Sequence, residues 1–318
     1  MTREQLKEKI EILLNSESTI GELHFLIERE GNLEIKKGNV NEETQQKLSD
    51  EFINYLISYF SNEELQVMNL SEADDRKNAI YLYDYEEVIN EFEYIKSIRE
   101  NDSFTEYSFK HNDISNLKGY IVTYINDNVK LTIYKQHYPI FLLKKDTSIL
   151  LRFTNSNQID ELDDDIFRLN NSFDFLIMND ELYIKEIEKL EKHYGFHEIV
   201  KSNALIGIEK IDELSIIEDI TELKSMVNDI SFARKLIKVS KRSPVLTEVP
   251  KDDILTFISN YSDGYLAEKV KLNEAKDALV LKTKESKRIF LKILNDDYLF
   301  SELTKHKYSS LAKDEVKN

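Results

Sequence analysis

"GYIVTYINDNVKLTIYKQHYPIFLL", residues 119–143, is dense in β-branched and aromatic side chains, with Asn-Asp-Asn at 126–128 set between two such runs. That composition predicts paired strands joined by a hairpin turn. "SILLRFT" (148–154) and "FDFLIMNDELYIKEI" (173–187) continue it, the second turning at Asn179-Asp180. Together they read as an antiparallel meander.

On the N-terminal side the spacing predicts a helix over 2–15, strands over 23–29 and 32–38, and a strand over 79–85. A helix over 41–60 carries Leu48, Phe52, Tyr55, Leu56 and Tyr59 at helical spacing. After Lys185 helices are expected over 186–210, 218–240, 251–260, 265–275 and 286–305, with one strand over 278–283. Segments 160–165 and 243–253 read as loops. Strands followed by helices point to an α+β fold. It comprises an N-terminal mixed α/β region and antiparallel sheet, then a mainly helical C-terminal half. The change of texture places a division between an N-terminal region, 1–117, and a second domain, 118–318.

The chain has 318 residues, 16 Phe, 17 Tyr and only 7 Gly and 3 Pro, the profile of a folded protein with long helices. It has no cysteine, which excludes disulfides, thiolate metal sites and cysteine nucleophiles and fits a reducing compartment. The start, "MTREQLKEKIEILLN", reads as an amphipathic helix rather than a signal peptide. No apolar run approaches the roughly 18–20 residues that span a bilayer. A cytoplasmic protein is expected, with any membrane association coming through a partner.

Phosphate loops, dinucleotide fingerprints and nucleophile elbows need clustered glycines, and the glycines here are scattered singly. His193 and His197 stand four apart, but Gly195 lies between them, and structural roles are expected. "DELDDD" (160–165) lacks the alternating ligands and central glycine of a calcium loop. Glu34-Ile35-Lys36, after Glu22 and Glu28, leaves a nuclease-like trace in which acids could hold Mg²⁺ and the lysine orient water. The same spacing arises by chance in a chain this rich in Glu and Lys. No catalytic residue, metal ligand or cofactor is assigned.

The formal net charge is −17, yet Arg234, Lys235, Lys238, Lys241 and Arg242 crowd into "FARKLIKVSKR" (232–242) with no acid among them. On a helix these five fall within an arc of about 120°, and Phe232, Ala233, Leu236, Ile237 and Val239 take the other side. An unmixed basic face repels itself and gains nothing unless an anion meets it. A second cluster, Lys282, Lys284, Lys287, Arg288 and Lys292, contains one acid, Glu285. Facing the same way, the two could form a groove that neutralises phosphates. An ordinary solvated surface and a dock for an acidic partner, or for the chain's own acidic N-terminal half, are the alternatives.

The string "FLKILNDDYLFSELTKHKYSSLAKDEV" (290–316) resembles the end of the Kiwa antiphage defence protein B family. "SILLRF", "FDFLIMNDELYIKEIEKLEKHYGF", "SNAL" and "ARKLIKVSKRSPVL" agree in the family order, so the resemblance covers about residues 110–316. It implies a cytosolic, homo-oligomeric effector that binds phage DNA without cutting it and blocks its replication or expression. It also implies a Kiwa protein A-like membrane protein as partner at the inner membrane. No catalytic signature is carried over. The phosphate-contacting face is then expected at Arg234, Lys235, Lys238, Lys241 and Arg242, with Lys282, Lys284, Lys287 and Arg288 secondary. Asn295 and Asp296 are expected to cap the final helix. A metal-dependent nuclease and a protein-interaction adaptor without DNA binding are the other readings.

Overall fold

A computed structural model describes residues 1–16, 21–74, 76–98, 103–108, 116–126, 128–138, 142–143, 150–153, 159–162, 166–261, 264–304 and 306–310. In chain order the elements are α1 (Arg3–Leu14), β1 (Glu22–Arg29), β2 (Asn32–Lys37), α2 (Glu42–Phe60), β3 (Gln66–Asn69), β4 (Ala79–Leu82) and α3 (Asn90–Ser97). The long strands β5 (Leu117–Ile125) and β6 (Lys130–Gln136) follow, then the short β7 (Leu142–Leu143), β8 (Leu151–Phe153), β9 (Ile159–Glu161) and β10 (Ile166–Phe167). Next come β11 (Phe175–Met178), β12 (Glu181–Ile184), α4 (Ile187–His193), α5 (Phe196–Asp212), α6 (Thr221–Lys224), α7 (Ile230–Arg242), α8 (Pro244–Glu248) and α9 (Lys251–Asn260). The chain continues through α10 (Tyr265–Lys269), β13 (Lys271–Leu272), β14 (Leu279–Val280), α11 (Lys284–Leu294), β15 (Tyr298–Phe300) and β16 (Lys307–Ser309).

The chain divides into two compact units, 1–67 with 88–187, and 68–87 with 188–318. The expected division at 117/118 falls at the start of β5, inside the first unit.

The first unit carries strands in the order β2-β1-β5-β6-β11-β12, every neighbouring pair antiparallel. The expected meander is present in β5, β6, β11 and β12 and continues outward to the β1–β2 hairpin, but Leu151–Phe153 of "SILLRFT" pairs instead with β9 in a separate two-stranded sheet. The meander's first turn is held by Asn126, whose Oδ1 accepts from the N–H groups of Asn128 (3.0 Å) and Val129 (2.7 Å). The second turn uses Asn179 at φ +53°, a left-handed conformation that asparagine tolerates. All four residues of β11 are buried, as are Tyr120–Tyr124 of β5, so both faces of these strands are covered. Helix α1, opened by a Thr2–Gln5 capping box, buries Leu6, Ile10 and Leu13. Helix α2 buries Phe52, Ile53, Leu56 and Phe60, and Tyr124 Oη ties the sheet to it by donating to the Ser49 carbonyl at 2.9 Å.

Two polar features sit inside this layer. Lys135 Nζ meets Asp174 Oδ1 at 2.9 Å, with both side chains buried, and the Gln136 N–H donates to the other carboxylate oxygen at 2.8 Å. His24 is buried at 1% exposure, and burial pushes its imidazole down to about 4.

In the second unit, α5 and α7 pack side by side. Several expected helices are shorter than their periodicity implied. Gly195, at φ +66°, separates α4 from α5, and Asp229 caps α7 afresh after the short α6. The stretch 265–275 leaves the helix at Lys269 and enters β13, and 286–305 ends at Leu294 before the β15–β16 hairpin. Asn295 and Asp296 therefore end α11 instead of opening a helix, Asp296 at φ +55°. The supposed connector 243–253 folds into α8 and the start of α9. Ser243 accepts from the Leu246 N–H at 3.0 Å and Pro244 opens α8, a pairing that favours a helix start. The 79–85 strand stops at Leu82, and the 278–283 strand shrinks to β14.

Gly119 lies against the Tyr134 ring, where an added Cβ would come within 2.5 Å of it. Gly119→Ala is expected to lower stability by about 1–3 kcal/mol in urea unfolding. Because the folded His24 refuses a proton that the unfolded chain accepts near pH 6.5, its contribution is complete above about 6.5. It is lost as pH falls toward about 4, amounting to about 3 kcal/mol at most. His137 is also pushed down by burial and adds to the same slope. Urea midpoints at pH 4.5 and 7 should converge in His24→Leu relative to the parent; an unchanged difference would show that the slope arises elsewhere.

Candidate nucleic-acid interface

Helix α7 starts where Asp229 Oδ1 accepts the Phe232 N–H at 3.2 Å. Phe232, Ala233, Leu236, Ile237 and Val239 are all buried, as the wheel predicts. The helix lies so close to α5 that a Cβ on Gly207 would stand 2.7 Å from Ser240 Oγ. With that side committed, the basic arc is turned outward: Lys235, Lys241 and Arg242 are exposed, and Arg234 and Lys238 half-buried.

The arc meets acids from elsewhere in the unit. Arg242 Nε lies 2.5 Å from Glu72 Oε1, Lys238 Nζ 3.7 Å from Asp74 Oδ2, and Arg234 Nε 3.4 Å from Glu191 Oε1. Lys241 Nζ stands 5.0 Å from the centre of the Tyr85 ring, within cation–π range. Asp74 is also gripped by Arg76 through two hydrogen bonds of 2.8 and 2.9 Å. Burial pushes the Asp74 carboxyl up, but the Arg76 hydrogen bonds and the Lys238 charge together hold it below its ordinary value. Glu191 goes the other way, its burial outweighing the attraction of Arg234. The helix is unmixed in sequence, yet its face is mixed in space.

The second cluster divides. Thr283 opens α11 in a capping box with Ser286. Lys282 and Lys284 are exposed. Lys287 is buried, 2.7 Å from Glu222 Oε2, and donates to Ser225 Oγ at 3.2 Å, so it is not presented to a ligand. Arg288 Nη2 pairs with Asp229 Oδ2 at 3.0 Å, which ties α11 to the cap of α7. Lys284, Arg288 and Lys292 fall within about 80° of one another on the α11 wheel.

The two helices meet at a cleft lined by Arg234, Lys235 and Lys238 from α7 and Leu291 and Lys292 from α11, with Asp74 and Asp297 beside them. Part of each basic cluster therefore converges. Lys292 was not among the residues expected to contact phosphate, although it continues the four-residue spacing from Lys284 and Arg288. Nothing in the sequence linked Glu72, Asp74 or Glu191 to the stripe.

The other motifs stay structural or apart. His193 ends α4 and His197 begins the first turn of α5, with His197 Nδ1 3.2 Å from the Glu191 carbonyl and Nε2 3.0 Å from Glu198 Oε1. Lys36 Nζ lies 3.8 Å from Glu34 Oε1, but the β1–β2 register puts both on the face opposite Glu22 and Glu28. Glu22 instead pairs with Lys37 (2.7 Å) and Glu28 with Lys118 (2.9 Å). No group of three or more His, Asp or Glu side chains suited to a metal occurs among the described residues. Residues 163–165 of the acidic run and 311–316 of the C-terminal string lie outside them. No described helix is long and apolar enough to cross a membrane.

Residues 114–304 match the family described as Kiwa protein KwaB-like. The chain is 33% identical over 319 residues to the Kiwa protein KwaB of Escherichia coli O55:H7 (strain RM12579 / EPEC), with 99% of each chain covered. No solved structure matches.

Burial separates the basic residues into two groups that stability measurements can tell apart. Lys287→Glu sets two carboxylates together in a buried place and should cost about 3–5 kcal/mol in urea unfolding. Lys284→Glu, on the surface, should stay within about 0.5 kcal/mol of the parent. Equal effects would mean that Lys287 is not held as described.

Proposed function

Because the chain belongs to the Kiwa protein KwaB-like family, we propose that it is an antiphage defence effector that binds phage DNA without cutting it. By holding DNA it blocks replication or expression, working as a homo-oligomer with a Kiwa protein A-like membrane protein that recruits it to the inner membrane. The observation that carries DNA contact is the convergence of Arg234, Lys235, Lys238 and Lys292 on one cleft of a chain whose net charge is −17. Against a strongly acidic whole, such a patch acts locally, because screening confines charge effects to about 8–10 Å. Exposed Lys241, Arg242, Lys282, Lys284 and Arg288 extend the surface. Contacts of this kind neutralise phosphates and do not read bases.

A second reading, a protein-interaction adaptor, draws support from the same ion pairs. Glu72, Asp74 and Glu191 already occupy part of the stripe, which is what a basic face evolved to grip carboxylates would do. A nuclease reading gains nothing, since Glu34 and Lys36 face away from Glu22 and Glu28.

Fluorescence anisotropy of duplex DNA over a salt series, with and without Mg²⁺, separates the three. The effector reading expects binding that weakens steeply with salt and leaves the DNA intact. Replacing Lys235, Lys282 and Lys284 together by Glu should flatten the log–log salt slope by about 0.9 for each phosphate no longer neutralised. Absence of binding at low salt would favour the adaptor, and Mg²⁺-dependent cleavage the nuclease.

A further inference from the structure

We infer that the α7–α11 cleft is a receptor for one compact phosphate monoester, the chemistry of a free phosphate group or of a DNA strand end, and not only a stretch of surface for duplex backbone. The inference shares its residues with the DNA reading above but does not require a duplex to bind.

Size comes first. The cleft holds about 40 Å³ of water-accessible space, room for roughly three waters, which is the scale of a single tetrahedral anion.

Charge comes second. Four cations and two carboxylates line the cleft, a surplus of two positive charges. A phosphate monoester carries about −1.5 to −2 near neutral pH, whereas a backbone diester carries a single charge. Neither carboxylate is without a partner of its own. Asp74 is held in the Arg76 fork, and Asp297 accepts from the Asn295 side-chain amide at 2.7 Å. The cations are held less firmly. Lys238 stands 3.7 Å from Asp74 and Arg234 3.4 Å from Glu191, both beyond a strong charged hydrogen bond. Lys235 is exposed and pairs with no described residue.

Geometry comes third. The donors come from two sides: Arg234, Lys235 and Lys238 on α7, and Lys292 on α11, whose Nζ is steadied by Ser309 Oγ at 3.1 Å. Ser231, whose hydroxyl can donate, also lines the cleft. A tetrahedral anion offers oxygens in all these directions at once, which a planar carboxylate does not. The helices that carry the donors pack against one another, so the cleft is assembled before any ligand arrives.

The test uses the full chain and three probes: inorganic phosphate, dAMP, and a labelled DNA hairpin with its 5′ end either phosphorylated or hydroxyl. Phosphate and dAMP are titrated by calorimetry and the hairpins by anisotropy, with the urea midpoint of each variant measured alongside. The expected result is saturable binding of phosphate or dAMP, or about tenfold tighter binding of the phosphorylated hairpin. Lys292→Gln and Lys235→Gln should each remove that preference while leaving the urea midpoint unchanged. Binding of dAMP and phosphate without a hairpin preference makes the source a small molecule; the hairpin preference makes it a strand end. Equal binding of both hairpins with no phosphate or dAMP signal overturns the cleft and leaves the DNA reading standing. Phosphate binding without any DNA binding does the reverse, and no binding of any probe ends both.

Discussion

Burial of one side of α7 is the constraint on which the rest of the functional surface depends. Phe232, Ala233, Leu236, Ile237 and Val239 leave water together, and a buried side chain of the larger kind is worth about 1.5–3 kcal/mol. The near contact of Gly207 with Ser240 leaves little room for the helix to roll against α5. Once that face is committed, the basic arc has one direction left, and its neighbours there are Glu72, Asp74, Tyr85 and Glu191.

Those neighbours change what the cations can do without cancelling them. An exposed ion pair is worth about 0–1 kcal/mol, so Arg242 can exchange Glu72 for another anion at little cost. Lys287 cannot, because removing its charge from Glu222 would strand a buried ion. Residues that look equivalent in a run of lysines thus separate into exchangeable surface charges and fixed internal ones. A face of the first kind is suited to a polyanion that brings many charges at once, and to an acidic protein partner as well.

The α+β class was legible early because its signals are local. Residues 119–136 carry strand composition, Asn126 closes its turn through its own side chain, and Asn179 turns the next pair. Helices α1, α2 and α7 are likewise announced by their apolar spacing. The failures share a cause. Apolar periodicity persisted through 186–210 and 286–305, while the backbone was interrupted by Gly195 and by the left-handed Asp296. Conversely, residues 243–253 looked irregular, yet Ser243 and Pro244 start a helix there.

From the amino-acid order alone came the fold class, the family resemblance and the two-faced character of α7, all properties of neighbours along one chain. Which cations remain available was decided by tertiary structure. Lys287 is withdrawn into contact with Glu222, 65 residues earlier in the chain, and Arg242 meets Glu72 across a still longer separation. The convergence of Lys292 with Arg234, Lys235 and Lys238 was settled the same way. A helical wheel fixes the angle at which a charge leaves its own helix; what that charge meets depends on packing with segments distant in sequence.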